Sequence, residues 1–285
     1  MSDLSSYRKW ASTPLAQEPE YSVVIPAYNE RERIIPTIGA IATHVSSLGC
    51  PWELIIADDG STDETIELLK GLDLANMAVL VADRNGGKGS AVRRGVLAAR
   101  GRWILFADAD QSTPIEQFQT LLNELKNGAD VAIGSRAVEG ATVANKSLVR
   151  TVFSKGLNLL VRHGCGVPFQ DTQCGFKMFT QEAGHTLFRR QLVDQFSFDL
   201  EILFLARKLG MKVVEVPVEW IDAPGSTVDP AKVALEFLTD IAQIRWWDLR
   251  GRYRQANRPL APPAHRITAP PAQPAAAPPA EALAS

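Results

Sequence analysis

The chain has 285 residues, 46% of them hydrophobic and 22% charged, with a formal net charge of −2. This suits a soluble globular protein of one large α/β domain or two small ones, and leaves no global field to attract nucleic acid. Three cysteines, Cys50, Cys165 and Cys174, are widely spaced and form no Cys-x-x-Cys, and read as reduced thiols in a cytosolic protein rather than as a disulfide framework or a zinc site.

Residues 1–20 mix Ser, Pro and charge, with no basic-then-apolar leader, and read as a flexible lead-in. Tyr21-Ser22-Val23-Val24-Ile25-Pro26 is a β-branched run ended by Pro, the pattern of a buried first strand. A helix is predicted over about 30–47, with Ile34, Ile35, Ile38 and Ile41 on one side. A strand over 53–57 and a helix over 62–72 follow, with Asp63 and Glu64 suiting the positive end of its dipole. Next come a strand at 77–82, a turn at 85–89 and a helix at 90–100. A fourth strand at 103–107, a helix at 114–126 with Pro in its first turn, and a fifth strand at 131–136 complete the first half. Strand alternating with helix predicts an α/β fold with a mostly parallel central sheet flanked by helices.

The second half is less regular: a helix near 148–161, a short strand near 174–179, a helix near 198–209, a strand at 212–216 and an amphipathic helix at about 231–253. The stretch 254–285 is rich in Pro and Ala and is expected to be a disordered or PPII-like tail. This gives one domain over 21–253 between flexible ends. No apolar run approaches the roughly 20 residues that cross a bilayer.

The chemistry concentrates at strand ends. Asp108-Ala109-Asp110 follows the fourth strand, and two carboxylates one residue apart there can hold Mg²⁺ or Mn²⁺ shared with substrate phosphates. Alone, the tripeptide also reads as two acids in a surface turn. Asp58-Asp59-Gly60-Ser61-Thr62-Asp63 adds a second acidic strand end, and together they point to a ligand carrying a base, a sugar and phosphates. Gly86-Gly87-Lys88-Gly89 offers bare backbone for close approach and a Lys for diphosphate charge. It is too short for a Walker A loop. A sugar-nucleotidyltransferase would carry its Gly-rich loop after the first strand, where this chain has Pro26-Ala27-Tyr28-Asn29-Glu30.

The order of these motifs, ending in Gly134-Ser135-Arg136, resembles glycosyltransferase family 2, inverting enzymes with a GT-A fold. In the second half, Asp171-Thr172-Gln173-Cys174-Gly175-Phe176-Lys177, Phe198-Asp199-Leu200-Glu201-Ile202 and Val216-Pro217-Val218-Glu219-Trp220 are most similar to the dolichyl-phosphate β-glucosyltransferase branch. The resemblance implies that Pro26, Ala27, Tyr28 and Glu30 line the base and ribose, that Asp59 meets the base, and that Lys88 meets the diphosphate. Asp108, Ala109 and Asp110 would complete the nucleotide-sugar site, with Asp108 and Asp110 as metal ligands and Asp110 the more direct one. Some mannosyl relatives add a Gln two residues after the motif. Here that position is Ser112, which favours the glucosyl branch and leaves a third protein ligand open.

The implied reaction moves a hexose, glucose first, from a UDP-sugar to a polyprenyl or dolichyl phosphate. A soluble or polysaccharide hydroxyl acceptor, GDP-mannose as donor, and a non-catalytic scaffold are the alternatives. A phosphate acceptor is already an anion and needs cations more than a base. Arg136 is the first candidate, ahead of Lys177 and Arg150. A hydroxyl acceptor would need a carboxylate base, for which Asp171 and Asp199 are available. Over 231–253, Leu235, Phe237, Leu238, Ile241, Ile244, Trp246 and Trp247 accompany Arg245, Arg250, Arg252 and Arg254. That pattern suits either a helix packed on the domain or a dimer partner, or peripheral contact with the cytoplasmic face of a membrane. Phe153, Leu157, Leu160 and Val161 offer a second apolar surface or a piece of core.

Overall fold

A computed structural model describes residues 5–144, 166–221, 230–255 and 265–268. In chain order its strands are β1 (Tyr21–Ala27), β2 (Trp52–Asp58), β3 (Met77–Val81), β4 (Trp103–Ala107), β5 (Val131–Ser135), β6 (Thr142–Ala144), β7 (Phe176–Thr180), β8 (Val213–Pro217), β9 (Glu219–Ile221) and β10 (His265–Thr268). The helices are α1 (Ser5–Ser12), α2 (Ile34–Ser47), α3 (Thr65–Lys70), α4 (Lys88–Ala98), α5 (Phe118–Lys126), α6 (Gln181–Arg190), α7 (Phe198–Lys208), α8 (Pro230–Leu249) and α9 (Arg252–Gln255).

Eight strands form the main sheet in the order β10-β3-β2-β1-β4-β7-β5-β8, and β6 pairs with β9 in a small second sheet. Strands β3, β2, β1 and β4 are parallel, as are β5 and β8. Strand β7 lies antiparallel between β4 and β5, with Phe106 opposite Lys177 and Ile133 opposite Lys177 on its other side. The carboxyl ends of β1, β2, β4 and β5 therefore meet the start of β7 at one edge. Open α/β sheets bind ligands at such an edge.

One apolar cluster fills the face under α1, α2, α3 and α5, with Ile34, Ile38, Phe118 and Leu122 against Val23 and Leu54. A second fills the opposite face under α4, α6, α7 and α8, with Val92, Leu187, Leu203 and Ile244 against Val24 and Phe106. The strands buried on both faces read as continuous apolar runs for this reason.

Several features differ from the sequence expectation, among them the unanticipated pair β6 and β9. Residues 5–12, expected in a flexible segment, form α1, because Trp10 is buried against Trp52 with ring centroids 4.2 Å apart. The Trp10 Nε1–H donates to the Trp52 carbonyl at 2.9 Å, and the Asn76 amide donates to the Trp10 and Thr13 carbonyls. Helix α6, not anticipated, starts where Thr180 Oγ1 accepts from Ala183 N at 3.1 Å, a side-chain cap. In the Pro/Ala tail, His265–Thr268 pairs antiparallel with β3, and this Pro-free run has the N–H groups a ladder needs. Helix α3 starts at Thr65 rather than Thr62 because Asn29 Oδ1 takes the Thr62 and Asp63 N–H groups. The expected helix near 148–161, with Arg150, Phe153, Leu157, Leu160 and Val161, lies outside the described residues, as does Cys165.

Helix α8 answers the amphipathic expectation on one side. Phe237, Ile241 and Ile244 pack into the second cluster, joined by Tyr253 of α9. The outer side leaves Leu238, Trp246 and Leu249 exposed. Among the described residues no helix is long and apolar enough to cross a membrane.

Replacing Trp10 with Ala should lower unfolding stability by about 3 kcal/mol, read by urea denaturation. A loss within about 0.5 kcal/mol would mean that α1 adds nothing to the core.

Candidate active site

The sheet edge holds a cavity of about 430 Å³ lined by Pro26, Ala27, Tyr28, Glu30, Asp59, Lys88, Asp108, Ala109 and Asp110. These are the nine residues expected at a nucleotide-sugar site, brought together from β1, β2, the start of α4 and β4. Asn29, with a left-handed φ of 56°, turns the chain after β1. It is pinned by its side chain to Thr62 and Asp63 and by its N–H to Ser61 Oγ. Asp58 is structural: its carboxylate accepts from Gly60 N, Ser61 N and Ser61 Oγ.

Asp59 lines this cavity and also accepts from Gly86 N at 3.1 Å and Gly87 N at 2.7 Å, and pairs with Arg94 at 3.0 Å. A carboxylate offers about four acceptor positions, so at most one remains for a ligand. Its first task is to hold the glycine turn that carries Lys88.

The charges of the cleft are unbalanced. Lys88 Nζ lies 2.7 Å from Asp108 Oδ1, although off the line of a good hydrogen bond. Burial works against the Lys88 ammonium, but the Asp108 and Asp199 carboxylates outweigh it and hold the group above the ordinary lysine range. Asp108 is hemmed in by Gly175, where a Cβ would fall 1.9 Å from its Oδ2. Asp110 accepts from Ser112 N at 2.9 Å. Among the described residues it has no ion-pair partner. Glu30 pairs with Arg33 at 2.7 Å. Even so, burial pushes its carboxyl up, Arg33 opposes the shift, and Asp110 and Asp108 add to it. Four carboxylates, Glu30, Asp59, Asp108 and Asp110, thus share one cleft, and among the described residues Asp110 is unanswered. Among the described residues no cluster of three or more acids, His or Cys is positioned to close around a metal. Asp108 and Asp110 therefore fit a cation that takes its remaining ligands from phosphate and water, the habit of Mg²⁺ and Mn²⁺.

Beside this cleft, a smaller cavity of about 120 Å³ is lined by Asp108, Asp110, Ser112, Thr113, Arg136, Gln173, Gly175 and Trp220. Arg136 forks onto Asp171 through Nε at 2.6 Å and Nη2 at 2.9 Å, and its guanidinium lies 5.4 Å from the Trp220 ring centre. Burial raises the cost of the Asp171 charge, but the Arg136 hydrogen bonds and charge outweigh it and hold its carboxyl below the usual range. Sequence reasoning quoted Trp220 only within a motif. It also missed Gln195 and Phe196, which line the larger cavity from a loop far along the chain.

The family model for glycosyl transferase family 2 matches residues 22–196. The chain belongs to glycosyltransferase family 2. Among curated relatives, it is 37% identical over 254 residues to a dolichyl-phosphate β-glucosyltransferase of Drosophila melanogaster, covering 84% of this chain and 78% of the relative. It is 34% identical to the enzyme of that name from Dictyostelium discoideum, with 82% and 76% covered. Its fold is GT-A, shared with glucosyl-3-phosphoglycerate synthase of Mycobacterium tuberculosis in complex with Mn²⁺ and UDP-glucose. That match has a TM-score of 0.60 and 21% identity over 80% of this chain and 79% of that one.

In this family 2 glycosyltransferase Lys177 does not sit where an acceptor cation was expected. Its side chain is 1% exposed and lines neither cavity. Nζ donates to the Cys174 carbonyl and to Asp199 Oδ1, the latter at 2.7 Å. Lys88 and Lys177 lie 5.6 Å and 5.9 Å from the centre of the Phe106 ring. Burial pushes the Asp199 carboxyl up, with Lys177 and Lys88 pulling it down. A lysine at the start of a strand looks free in sequence, and only the antiparallel placement of β7 buries it. Replacing Lys177 with Met should destabilise the fold by about 3–5 kcal/mol, because Asp199 is left buried without its partner. Lost turnover at unchanged stability would return Lys177 to the substrate site.

Proposed function

We propose that this enzyme moves glucose from UDP-glucose to a polyprenyl phosphate of the dolichyl kind, with inversion, using Mg²⁺ or Mn²⁺. The observation that carries the reading is the unanswered Asp110 beside Asp108 in a cleft lined by the nucleotide-sugar residues. The acceptor follows the relatives' shared name, and UDP-glucose with Mn²⁺ follows the fold neighbour crystallised with both.

Asp108 and Asp110 would hold the cation, which when bound supplies positive charge to the departing diphosphate. Lys88 faces the same diphosphate from the glycine turn that Asp59 fixes. Pro26, Ala27, Tyr28 and Glu30 form the wall for base and ribose. On the acceptor side, Asp171 uses Nε–H and one Nη2–H of Arg136, leaving other guanidinium N–H groups for a phosphate oxygen. Asp171 acts by positioning Arg136. Its lowered pKa makes it a poor base, and Asp199 is tied to Lys177. Neither suits a hydroxyl acceptor, whereas a phosphate monoester attacks as an anion and needs no strong base. Attack from the face opposite the diphosphate gives a β-linked product.

The same reading has the enzyme work peripherally on the cytoplasmic face of a membrane. Supporting it, Leu238, Trp246 and Leu249 of α8 are 42%, 53% and 79% exposed. The Arg250 guanidinium lies 4.2 Å from the Trp246 ring centre, and Arg245, Arg252 and Arg254 are exposed nearby. Aromatic rings beside guanidiniums suit the headgroup region.

The test offers labelled UDP-glucose or GDP-mannose to purified protein with Mn²⁺ or Mg²⁺, with and without polyprenyl phosphate. Label should enter an organic-extractable, mild-acid-labile lipid with UDP-glucose alone. Asp110→Ala should lower that rate by about 10²-fold or more with the fold retained. Transfer from GDP-mannose alone would refute the donor, and UDP release without labelled lipid would refute the acceptor.

A further inference from the structure

The reaction as derived makes no use of Glu201, although it is among the most deliberately placed acids in the molecule. It lies on α7 with 0% exposure. Its carboxylate accepts from Leu192 N at 3.0 Å and Val193 N at 2.8 Å on one side, and from the Tyr253 hydroxyl at 2.7 Å on the other. Leu192 and Val193 open the loop that joins α6 to α7, and Tyr253 belongs to α9, more than fifty residues further along.

That loop forms part of the donor cleft. The Asp194 carbonyl accepts from Ser90 N at 3.0 Å, at the first turn of α4. The loop also presses on the glycine turn: a Cβ at Gly87 would meet the Asp194 carbonyl oxygen at 2.4 Å, and one at Gly89 the Val193 carbonyl oxygen at 2.8 Å. Gln191 Nε2 donates back to the Val193 carbonyl at 2.6 Å, closing the loop on itself. Beyond it, Gln195 and Phe196 line the 430 Å³ cavity together with Tyr28 and Glu30. Phe196 is 64% exposed, a large apolar ring held in solvent on the wall of the cleft. Such a ring has a reason to be there if a ligand covers it.

We propose that Glu201 is a positioning residue for the nucleotide-sugar: it latches the 191–197 loop so that Phe196 walls the donor cleft, and Tyr253 makes the C-terminal helices part of that latch. The carboxylate is the one side-chain type that can accept from two adjacent backbone N–H groups and a phenol together. Without it the loop loses its anchor to α7, and the wall beside Lys88 loosens. The covered face of Phe196 is then a source of donor affinity rather than of chemistry.

The proposal rests on the nucleotide-sugar reading, and the experiment separates the two. Steady-state kinetics with UDP-glucose would compare Tyr253→Phe, Phe196→Ala and the double variant with the wild type. Each single change should raise KM about three- to tenfold, with kcat within about twofold. The double variant should be no worse than the weaker single, because both act on one wall. Glu201→Ala should exceed both, and Glu201→Gln, which keeps a carbonyl acceptor, should recover part of the loss. Should the Glu201 variants fail to fold, the Tyr253 and Phe196 pair decides, since one removes a single hydroxyl and the other an exposed ring. An unchanged KM in Tyr253→Phe, or fully additive effects in the double variant, would overturn the latch while leaving the donor assignment intact. A wild type that turns over no UDP-glucose would overturn the donor reading and the latch with it.

Discussion

Repulsion among the carboxylates gathered at one sheet edge is the constraint on which the rest of the structure depends. Parallel strands deliver their ends to the same place, and here those ends carry acids. The fold answers them one by one: Arg94 for Asp59, Lys88 for Asp108, Arg136 for Asp171, Arg33 for Glu30 and, deeper, Lys177 for Asp199. Among the described residues Asp110 is left over. A site with every acid answered would be a stable piece of surface. In the proposed reading, the leftover charge is what a divalent cation would answer.

These pairs also divide the labour. Asp59 and Arg94 fix the glycine turn, and that turn sets the height of Lys88 above Asp108. The Asp171 fork fixes Arg136 under Trp220 and keeps its charge from wandering. Lys177 and Asp199 form a buried pair, and Gly175 lets the β7 end close on Asp108. The two cavities meet at Asp108 and Asp110, which line both.

The first half of the fold was legible because most of its strands are buried on both faces and so appear as apolar runs, with acids close after β1, β2 and β4. The nine residues expected at a nucleotide-sugar site followed from the order of motifs that resembles the family, and all nine line one cavity. What escaped was decided by partners distant in sequence. Trp10 looks like part of a polar lead-in until Trp52 is there to stack on. Lys177 looks like a free cation until β7 inserts between β4 and β5 and buries it. Phe196 and Glu201 belong to a cleft and a latch assembled from α4, α7 and α9, and no local spacing encodes that meeting. Whether Asp59 had acceptor capacity to spare could be judged only once its hydrogen bonds were known.

The central claim is that the cleft is electrostatically incomplete without a divalent cation. Calorimetric titration of UDP into the protein, once with Mn²⁺ and once with a chelator, tests it directly. Chelation should weaken UDP binding by at least about tenfold, and Mn²⁺ without UDP should bind weakly, since only two protein carboxylates face it. UDP affinity that is the same in both titrations would contradict the account.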